Sequence, residues 1–354
     1  MHSERKQEHL RICVEEDVET PAVTTGLEHF RLMHCALPEM ALADVSLAVP
    51  LLGKTLRAPF LISAMTGGTA AAEQINRNLA AAAQRAGVAM GLGSQRAALE
   101  DPQWVRTYQV RDVAPDILLL ANLGAVQLNY GYTVTECLRA VEMIGADALV
   151  LHVNPLQECL QPHGNTDFRG LIPKIGEVCA ALPVPVIVKE VGWGFSEDIA
   201  RRLQEVGVAA LDVAGAGGTS WSRVEAYRQS AQGQQIAEAF SGWGIPTALA
   251  IRLARRGAPD LPLIASGGFR TGVQAAIALA LGADAVGIAR PLLEAAMQSA
   301  AATGDVLDQF IETLRIAMFA AGARTVRELR SAMLIYGDNS CRVQIARADA
   351  LWGE

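Results

Sequence analysis

The sequence of 354 residues lacks three features that would assign a function class at once. It has no basic excess, since 30 lysines and arginines stand against 37 acidic residues, and the net charge of -7 argues against general nucleic-acid binding. It has no apolar run near the roughly 20 residues that span a membrane. Its start is charged and polar, unlike a signal peptide, so we expect a cytoplasmic protein without nucleic-acid or membrane partners.

Cysteine is scarce, and its spacing indicates no metal or redox chemistry. The six cysteines form no CxxC pair and no Cys/His pattern of a zinc site. Without an export signal we expect all of them to stay reduced and to pack as small apolar side chains. They are Cys13, Cys35, Cys137, Cys159, Cys179 and Cys341.

The chain is rich in apolar residues, 51% of the total, and they are grouped in short runs. From residue 58 to residue 302, eight such runs alternate with helical segments. The runs are almost continuously apolar, as buried parallel strands are. Eight strand–helix units predict an α/β fold of the (β/α)8 TIM-barrel type. A doubly wound open sheet is the alternative, but polar residues and glycines end nearly every run, and only in a barrel do all strand ends meet at one face.

The remaining segments flank this barrel. Residues 1–57 form an N-terminal extension, in which residues 45–59 are predicted to make a hairpin with its turn at Leu52-Gly53-Lys54. Residues 58–354 form the barrel with C-terminal helices, because the tail from Gly304 onward has a helical pattern. No linker divides the chain, so we predict a single domain overall.

The seventh and eighth strand ends predict a phosphate site. Each carries glycines and an arginine before a helix, in SGGFR (Ser266–Arg270) and in GIAR (Gly287–Arg290). Glycines let backbone N–H groups approach an anion, and helix N-termini favour negative charge. Loops after strands seven and eight are the usual phosphate position in a barrel. Tight turns alone are the alternative, and two such loops in the expected pair of positions favour phosphate.

Polar residues at other strand ends predict a bound cofactor. Strand one ends in AMTGG (Ala64–Gly68), and Ser94, Asn122 and Lys189 end strands two, three and five. A flavin ring needs donors along one edge, and a lysine suits the charge of the reduced ring. Each residue alone is more simply a polar strand cap. Together they form a ring of polar groups around one barrel mouth, which favours a cofactor.

Strand four carries the most distinctive stretch, His152 to Glu158. His152 and Asn154 share one face of the strand, and Gln157 and Glu158 follow in the next loop. Glu158 is an oxygen ligand suited to Mg²⁺, although alone it reads as a solvated carboxylate, and His152 alone reads as a core histidine.

Two further segments have no clear role from composition. The start, with Arg5, Lys6 and His9, has the composition of a solvated terminus. Trp221 and Glu225 lie in the long polar loop after strand six, where a tryptophan serves either as a lid over the mouth or as packing.

Ten motifs, taken in order along almost the whole chain, resemble the type 2 isopentenyl-diphosphate isomerases. HVNPLQE is the most specific of them, and none departs from the family pattern. The motifs are RKxxH (Arg5, Lys6, His9), LxHxALPE (Leu32–Glu39), AMTGG, GLGSQR (Gly91–Arg96), ANLG (Ala121–Gly124), HVNPLQE (His152–Glu158), VKEVG (Val188–Gly192), AGGTSW (Ala216–Trp221), SGGxR and ARP (Ala289–Pro291).

The resemblance implies an FMN-binding barrel that interconverts isopentenyl and dimethylallyl diphosphate with reduced FMN and Mg²⁺, NAD(P)H being the reductant. It also implies a homo-oligomer, a tetramer or octamer, in isoprenoid biosynthesis. The implied FMN contacts are Ala64, Met65, Thr66, Ser94, Asn122, Lys189, Thr219, Gly267, Gly268, Arg270, Ala289 and Arg290. The implied catalytic-site residues are His152, Asn154 and Gln157, the implied diphosphate ligands are Arg5, Lys6, Arg96 and Gln157, and the implied Mg²⁺ ligand is Glu158.

Two other functions fit parts of the pattern. An FMN-dependent 2-hydroxyacid oxidoreductase shares the barrel and phosphate loops, but it requires a histidine base and an arginine after strand six. The stretch AGAGGTSW (Ala214–Trp221) has neither. A non-catalytic flavin-binding protein would keep the FMN residues and would need none of Arg5, Lys6, Gln157 and Glu158.

Overall fold

A computed structural model of the protein describes residues 2–19, 22–337 and 343–352. Its centre is a closed barrel of eight parallel strands, β4 to β11, as the sequence predicts. The strands are β1 (Phe30–Leu32), β2 (Val49–Leu51), β3 (Lys54–Leu56), β4 (Phe60–Ile62), β5 (Ala89–Gly91), β6 (Leu119–Gly124), β7 (Ala148–His152), β8 (Val186–Lys189), β9 (Ala210–Asp212), β10 (Leu263–Ala265), β11 (Ala285–Ile288), β12 (Met333–Gly337) and β13 (Val343–Arg347).

Helices surround the barrel and cover its ends. They are α1 (His2–Glu15), α2 (Ala70–Ala86), α3 (Arg96–Glu100), α4 (Val134–Ile144), α5 (Pro155–Leu160), α6 (Leu171–Ala181), α7 (Glu197–Glu205), α8 (Trp221–Ala226), α9 (Ala231–Glu238), α10 (Thr247–Gly257), α11 (Gly272–Ala280), α12 (Arg290–Gln298), α13 (Ala300–Ala320) and α14 (Val326–Leu329). Short 3-10 turns lie at Leu27–His29, Leu42–Asp44, Pro102–Thr107, Ala125–Asn129 and Ala348–Trp352. No helix in the described parts of the chain is both long and apolar enough to cross a bilayer.

Local sequence signals place several of these elements. Helix α2 ends at Gly87, whose φ of 68° is the left-handed cap that glycine favours. Helix α7 begins after Ser196, whose side chain accepts a hydrogen bond from the amide of Ile199. The barrel closes where β11 pairs with β4, with Val286 opposite Phe60, and the residues of both strands are buried.

The predicted hairpin is present as β2 and β3. Val49 pairs with Leu56, and Leu52 and Gly53 turn with positive φ angles of 46° and 82°. Lys54 donates to the carbonyl of Ile117, just before β6, so the hairpin lies at the N-terminal end of the barrel strands. This end is opposite the mouth that carries the polar strand ends.

The chain differs from the sequence prediction at two places. The long loop after β9 contains helices α8 and α9. The tail from Gly304 is only partly helical, because β12 and β13 follow α14 and join β1 in an antiparallel sheet. The rings of Phe30 and Tyr336 stack there with centroids 6.0 Å apart. Phe30 and Tyr336 are 306 positions apart, and a pairing over this distance leaves no local signal in the sequence of the tail.

The cysteines that the structure describes are free thiols, but Cys159 is exposed, so the prediction that every cysteine packs as a small apolar side chain is wrong for it. They are Cys13, Cys35, Cys137, Cys159 and Cys179, while Cys341 lies outside the described residues.

Candidate active site

Two adjoining cavities open at the C-terminal ends of the barrel strands. The first, the glycine lobe, has about 1080 Å³ of space, and the second, the polar lobe, about 1000 Å³, both counted with solvent at their mouths. They share a wall made by Lys6, His9, Ala64, Met65, Lys189, Val191 and Trp221. Helix α1 therefore contributes Lys6 and His9 to both lobes.

Every site residue that the sequence predicts lines one lobe or the other. The glycine lobe contains Ala64, Met65, Thr66, Lys189, Thr219, Gly267, Gly268, Arg270, Ala289 and Arg290. The polar lobe contains Arg5, Lys6, Ser94, Arg96, Asn122, His152, Asn154, Gln157 and Glu158. Ser94 and Asn122 thus lie on the polar side of the shared wall.

In the wall of the glycine lobe, the backbones of the loops after β9 and β10 pack closely against each other. A Cβ built on Gly218 would lie 2.6 Å from the amide nitrogen of Gly268, and a Cβ on Gly267 would overlap the carbonyl of Gly215. Gly267 also has a backbone φ of +106°, which residues other than glycine rarely adopt. These contacts explain the glycines in the loops after β9 and β10 and leave a smooth wall for a ligand.

Two buried hydroxyl groups line the glycine lobe, where a bound ligand could form hydrogen bonds with them. The hydroxyls of Ser63 and Thr66 are buried without a hydrogen-bond partner among the described residues, and both side chains line this lobe. Buried polar atoms are normally paired, so two unpaired ones facing one cavity point to a bound group. In the same lobe, Arg290 begins α12 and Arg270 precedes α11, and the carboxylate of Glu19 contacts both guanidinium groups. The side-chain carboxylate of Glu19 therefore lies between the two arginines that the sequence predicts to bind a phosphate.

Lys189 ends β8 between the two lobes. Its ammonium donates to the carbonyl of Glu190 at 2.6 Å. The Glu190 carboxylate in turn accepts from the backbone amides of the next residues, including Val191 and Gly192 at 2.7 Å each. Burial raises the pKa of Glu190 to about 7, against the effect of these amides. Glu190 is not among the site residues predicted from the sequence.

His152 ends β7 in the polar lobe. Its Nδ1 lies 2.8 Å from the amide oxygen of Asn122. Burial, together with the positive charges of Lys189, Lys6 and Arg5, lowers the pKa of His152 to about 3. The imidazole is therefore neutral near pH 7, and a neutral ring with Nδ1 facing an oxygen donates from Nδ1 and accepts at Nε2.

Lys6 does not have the solvated position that the composition of the terminus suggests. Its ammonium donates to the carbonyl of Ser94 at 2.6 Å and to the hydroxyl of Tyr108 at 2.7 Å. Burial, with a smaller contribution from Arg5, lowers the pKa of Lys6 to about 7. Tyr108 is fully buried and was not predicted as a site residue. No local signal could identify it, because its partner lies 102 residues away.

Glu158 is buried at the far side of the polar lobe. Its carboxylate accepts from the backbone amide of Asn165 at 2.5 Å, from the side chain of Asn154 at 3.2 Å and from that of Gln161. Gln161 also accepts from Arg5 at 3.2 Å, so a cation stands beside this acid. No group of three or more His, Cys, Asp or Glu side chains in the described residues could hold a metal by itself.

Glu225 joins the N-terminal helix to the barrel. It is fully buried in α8, and its carboxylate lies 3.0 Å from Nε2 of His9. It also accepts from Gln157 at 3.1 Å and from Arg228 at 2.6 Å. The ring of His9 meets that of Trp221 edge to face, 5.2 Å between centroids. Helix α1 and helix α8 thus close over the junction of the two lobes.

Known proteins share most of this chain. It is 58% identical over 312 residues to an isopentenyl-diphosphate delta-isomerase of a Synechococcus species, covering 88% of each chain. It is 54% identical over 333 residues to a protein of the same name from Stutzerimonas stutzeri, covering 94% of this chain and 96% of the relative. The chain belongs to the isopentenyl-diphosphate delta-isomerase family. The model of the FMN-dependent dehydrogenase family also matches, over residues 3–154 and 157–336.

Solved structures agree with the fold of this isomerase-family member. A mandelate oxidase mutant with a monooxide FMN adduct matches with a TM-score of 0.65 and 18% identity, over 94% of this chain and 99% of that one. A mandelate oxidase with benzoyl-formic acid matches with a TM-score of 0.63 and 17% identity, over 94% and 95%. Likeness at this level of identity shows the shared barrel.

Proposed function

We propose that the protein interconverts isopentenyl diphosphate and dimethylallyl diphosphate. The observation that carries this proposal is the pairing of the two lobes. A glycine-walled cavity with an anion position adjoins a polar cavity in which Arg5, Lys6 and Arg96 stand near the carboxylate of Glu158. A flavin beside a diphosphate substrate needs this arrangement, and relatives of this name share about half of the residues.

In this proposal FMN binds in the glycine lobe with its phosphate between Arg270 and Arg290. The unpaired hydroxyls of Ser63 and Thr66 suit the hydrogen-bonding groups of a flavin. Lys189, on the shared wall, suits the negative charge of the reduced ring. Once reduced by NAD(P)H, bound FMN would supply the proton donor and acceptor for the alkene without net redox change.

The polar lobe would hold the diphosphate. Arg5, Lys6 and Arg96 supply positive charge, and Gln157 supplies an amide donor. Mg²⁺ binds one or two carboxylates together with substrate phosphates, so the single carboxylate of Glu158 is enough for it. Anchoring the diphosphate in this way positions the unreactive alkene at the shared wall.

Neutral polar groups lie between the proposed FMN site and the proposed diphosphate site. His152, with its pKa lowered to about 3, has little capacity as a base at neutral pH and serves as a hydrogen-bonding group. The Asn154 side chain donates to Gln157 at 3.0 Å, and its own buried carbonyl oxygen has no partner among the described residues. That oxygen would accept a hydrogen bond from a ligand.

Helices α1 and α8 would exclude water from the reacting alkene. His9 and Trp221 both line the shared wall, and Glu225 holds His9 in place from a fully buried position. Excluding water protects a cationic intermediate from capture.

We further infer a cytoplasmic homo-oligomer. The family resemblance supports the homo-oligomer. Analytical ultracentrifugation would give the number of subunits, and a monomer at micromolar concentration would contradict the inference.

The decisive experiment is conversion of isopentenyl diphosphate, followed by ³¹P or ¹H NMR, in anaerobic solution with FMN and Mg²⁺. We expect dimethylallyl diphosphate to form when the flavin is reduced and not when the reductant is omitted. Turnover of lactate or mandelate would support the oxidoreductase alternative instead. Tight FMN binding with no response to diphosphate or Mg²⁺ would support the non-catalytic alternative.

A further inference from the structure

The segment that follows α1 runs from the mouth of the barrel to the phosphate loops. Val18 is fully buried in a small cluster with Ile12 and Val224. Its carbonyl accepts from the amide of Ser220 at 2.8 Å. These two contacts hold the backbone at Val18 in place. The next residue, Glu19, lies at the edge of the glycine lobe.

Three guanidinium groups converge on Glu19. Arg223 donates to its backbone carbonyl, and the side-chain carboxylate accepts from Arg270 and, at 2.8 Å, from Arg290. Arg270 and Arg290 both line the glycine lobe, while the Glu19 side chain remains 44% exposed. A carboxylate between two guanidinium groups makes the same charge-assisted contacts as a phosphate would.

We propose that Glu19 is an internal competitor for the cofactor phosphate, so that FMN must displace its carboxylate and binds less tightly than it would without it. This inference rests on the proposed function only in placing the FMN phosphate between Arg270 and Arg290. A tethered ligand acts at an effective concentration in the millimolar range, so weak anions cannot displace it. The phosphate of FMN carries up to two charges and three acceptor oxygens and belongs to a large ligand, so it displaces the carboxylate.

The contacts around Glu19 indicate which of its atoms must move when FMN binds. Val18 and the backbone of Glu19 are held by Ser220 and Arg223, independently of the carboxylate. Displacement therefore needs only rotation of the Glu19 side chain, and α1 can stay over the mouth. A flavin without phosphate leaves the carboxylate between its two arginines.

The test compares the affinities of FMN and riboflavin for the flavin-free protein, measured by quenching of flavin fluorescence. In Glu19→Gln we expect FMN to bind about threefold to tenfold more tightly, the effect of losing two partly exposed ion pairs that compete with it. Riboflavin affinity should stay within about twofold, because riboflavin does not contact the arginines. Glu19→Ala should behave in the same way.

Asp17→Asn is the matched control. Asp17 is an acid two residues away, highly exposed, and 3.6 Å from Arg223 rather than beside the lobe; its Oδ1 accepts from the backbone amide of Glu19 at 3.1 Å, a bond that the amide oxygen of asparagine can keep. Its removal lowers the local negative charge equally and should leave FMN affinity unchanged. Unchanged or weaker FMN binding in Glu19→Gln, or an equal gain for riboflavin and FMN, would overturn the inference.

The outcome separates this inference from the proposed function. Binding is measured without isopentenyl diphosphate or a reductant. A gain in affinity for FMN alone in Glu19→Gln, in a protein that does not isomerise its substrate, would sustain the role of Glu19 and refute the isomerase. A wild-type protein that binds neither flavin would overturn both.

Discussion

The buried position of Lys6 predicts a pH-dependent affinity for the diphosphate substrate. The ammonium lies against the carbonyl of Ser94 and the hydroxyl of Tyr108, and its pKa is lowered to about 7 chiefly by burial. A diphosphate would supply the missing negative charge and so would bind the protonated form. Proton binding and substrate binding are therefore linked. The Lys6→Gln variant removes this link.

The magnitude follows from the kind of contact that is lost. A hydrogen bond to a charged group contributes about 1.5–3 kcal/mol, which corresponds to an affinity ratio of about 10 to 150 between wild type and Lys6→Gln. That ratio should be full at pH 6, where Lys6 is protonated before the substrate binds. As pH rises through about 7 the free protein loses this proton, so the advantage of wild type falls by up to about tenfold per pH unit.

The assay is titration calorimetry with isopentenyl diphosphate between pH 6 and pH 9. The titration of the diphosphate itself cancels in the ratio of the two proteins. Lys174→Gln is the control, because Lys174 donates to Leu128 and Asn129 outside both lobes. A ratio that stays constant over this range, or a Lys6→Gln affinity within twofold of wild type at pH 6, would refute the reasoning.

Three further substitutions test other parts of the site. Glu225→Ala leaves Arg228, whose side chain is 11% exposed, with Glu8 as its acidic partner and removes the buried carboxylate that contacts His9 and Gln157, so it should destabilise the protein by about 3 kcal/mol in urea unfolding; a loss below 1 kcal/mol would contradict this. Glu158→Gln should weaken the dependence of substrate binding on Mg²⁺, and an unchanged Mg²⁺ titration would remove Glu158 from the metal role. Gly267→Ala should abolish FMN retention on gel filtration, since the added Cβ overlaps the carbonyl of Gly215; normal retention would show that the loop can yield.

The barrel could be predicted because its signals are local. Each strand is a short apolar run, and each helix has its own caps, such as Gly87 and Ser196. Parallel strands bring their carboxyl ends to one face, so residues as distant as Ser94 and Arg290 could be placed at one mouth without knowing any contact. The sequence could not predict which of the two lobes each residue lines.

The parts that could not be predicted depend on contacts between distant segments. Nothing near Lys6 in sequence indicates Tyr108, and nothing near Glu19 indicates Arg290, 271 positions away. The composition around Arg5, Lys6 and His9 is that of a solvated terminus, yet Lys6 and His9 line both lobes of the site. Strand β12 was not predicted for the same reason, because its partner β1 lies near the other end of the chain, and β13 in turn pairs with β12.

Counting the NADPH consumed against the product formed tests whether the protein isomerises the double bond without net oxidation. The protein is supplied with FMN, Mg²⁺, isopentenyl diphosphate and limiting NADPH under anaerobic conditions, and both NADPH and dimethylallyl diphosphate are measured. We predict many product molecules for each NADPH consumed, because reduction is needed only to prepare the cofactor. One NADPH consumed per product, or no product from a reduced and saturated protein, would contradict the account.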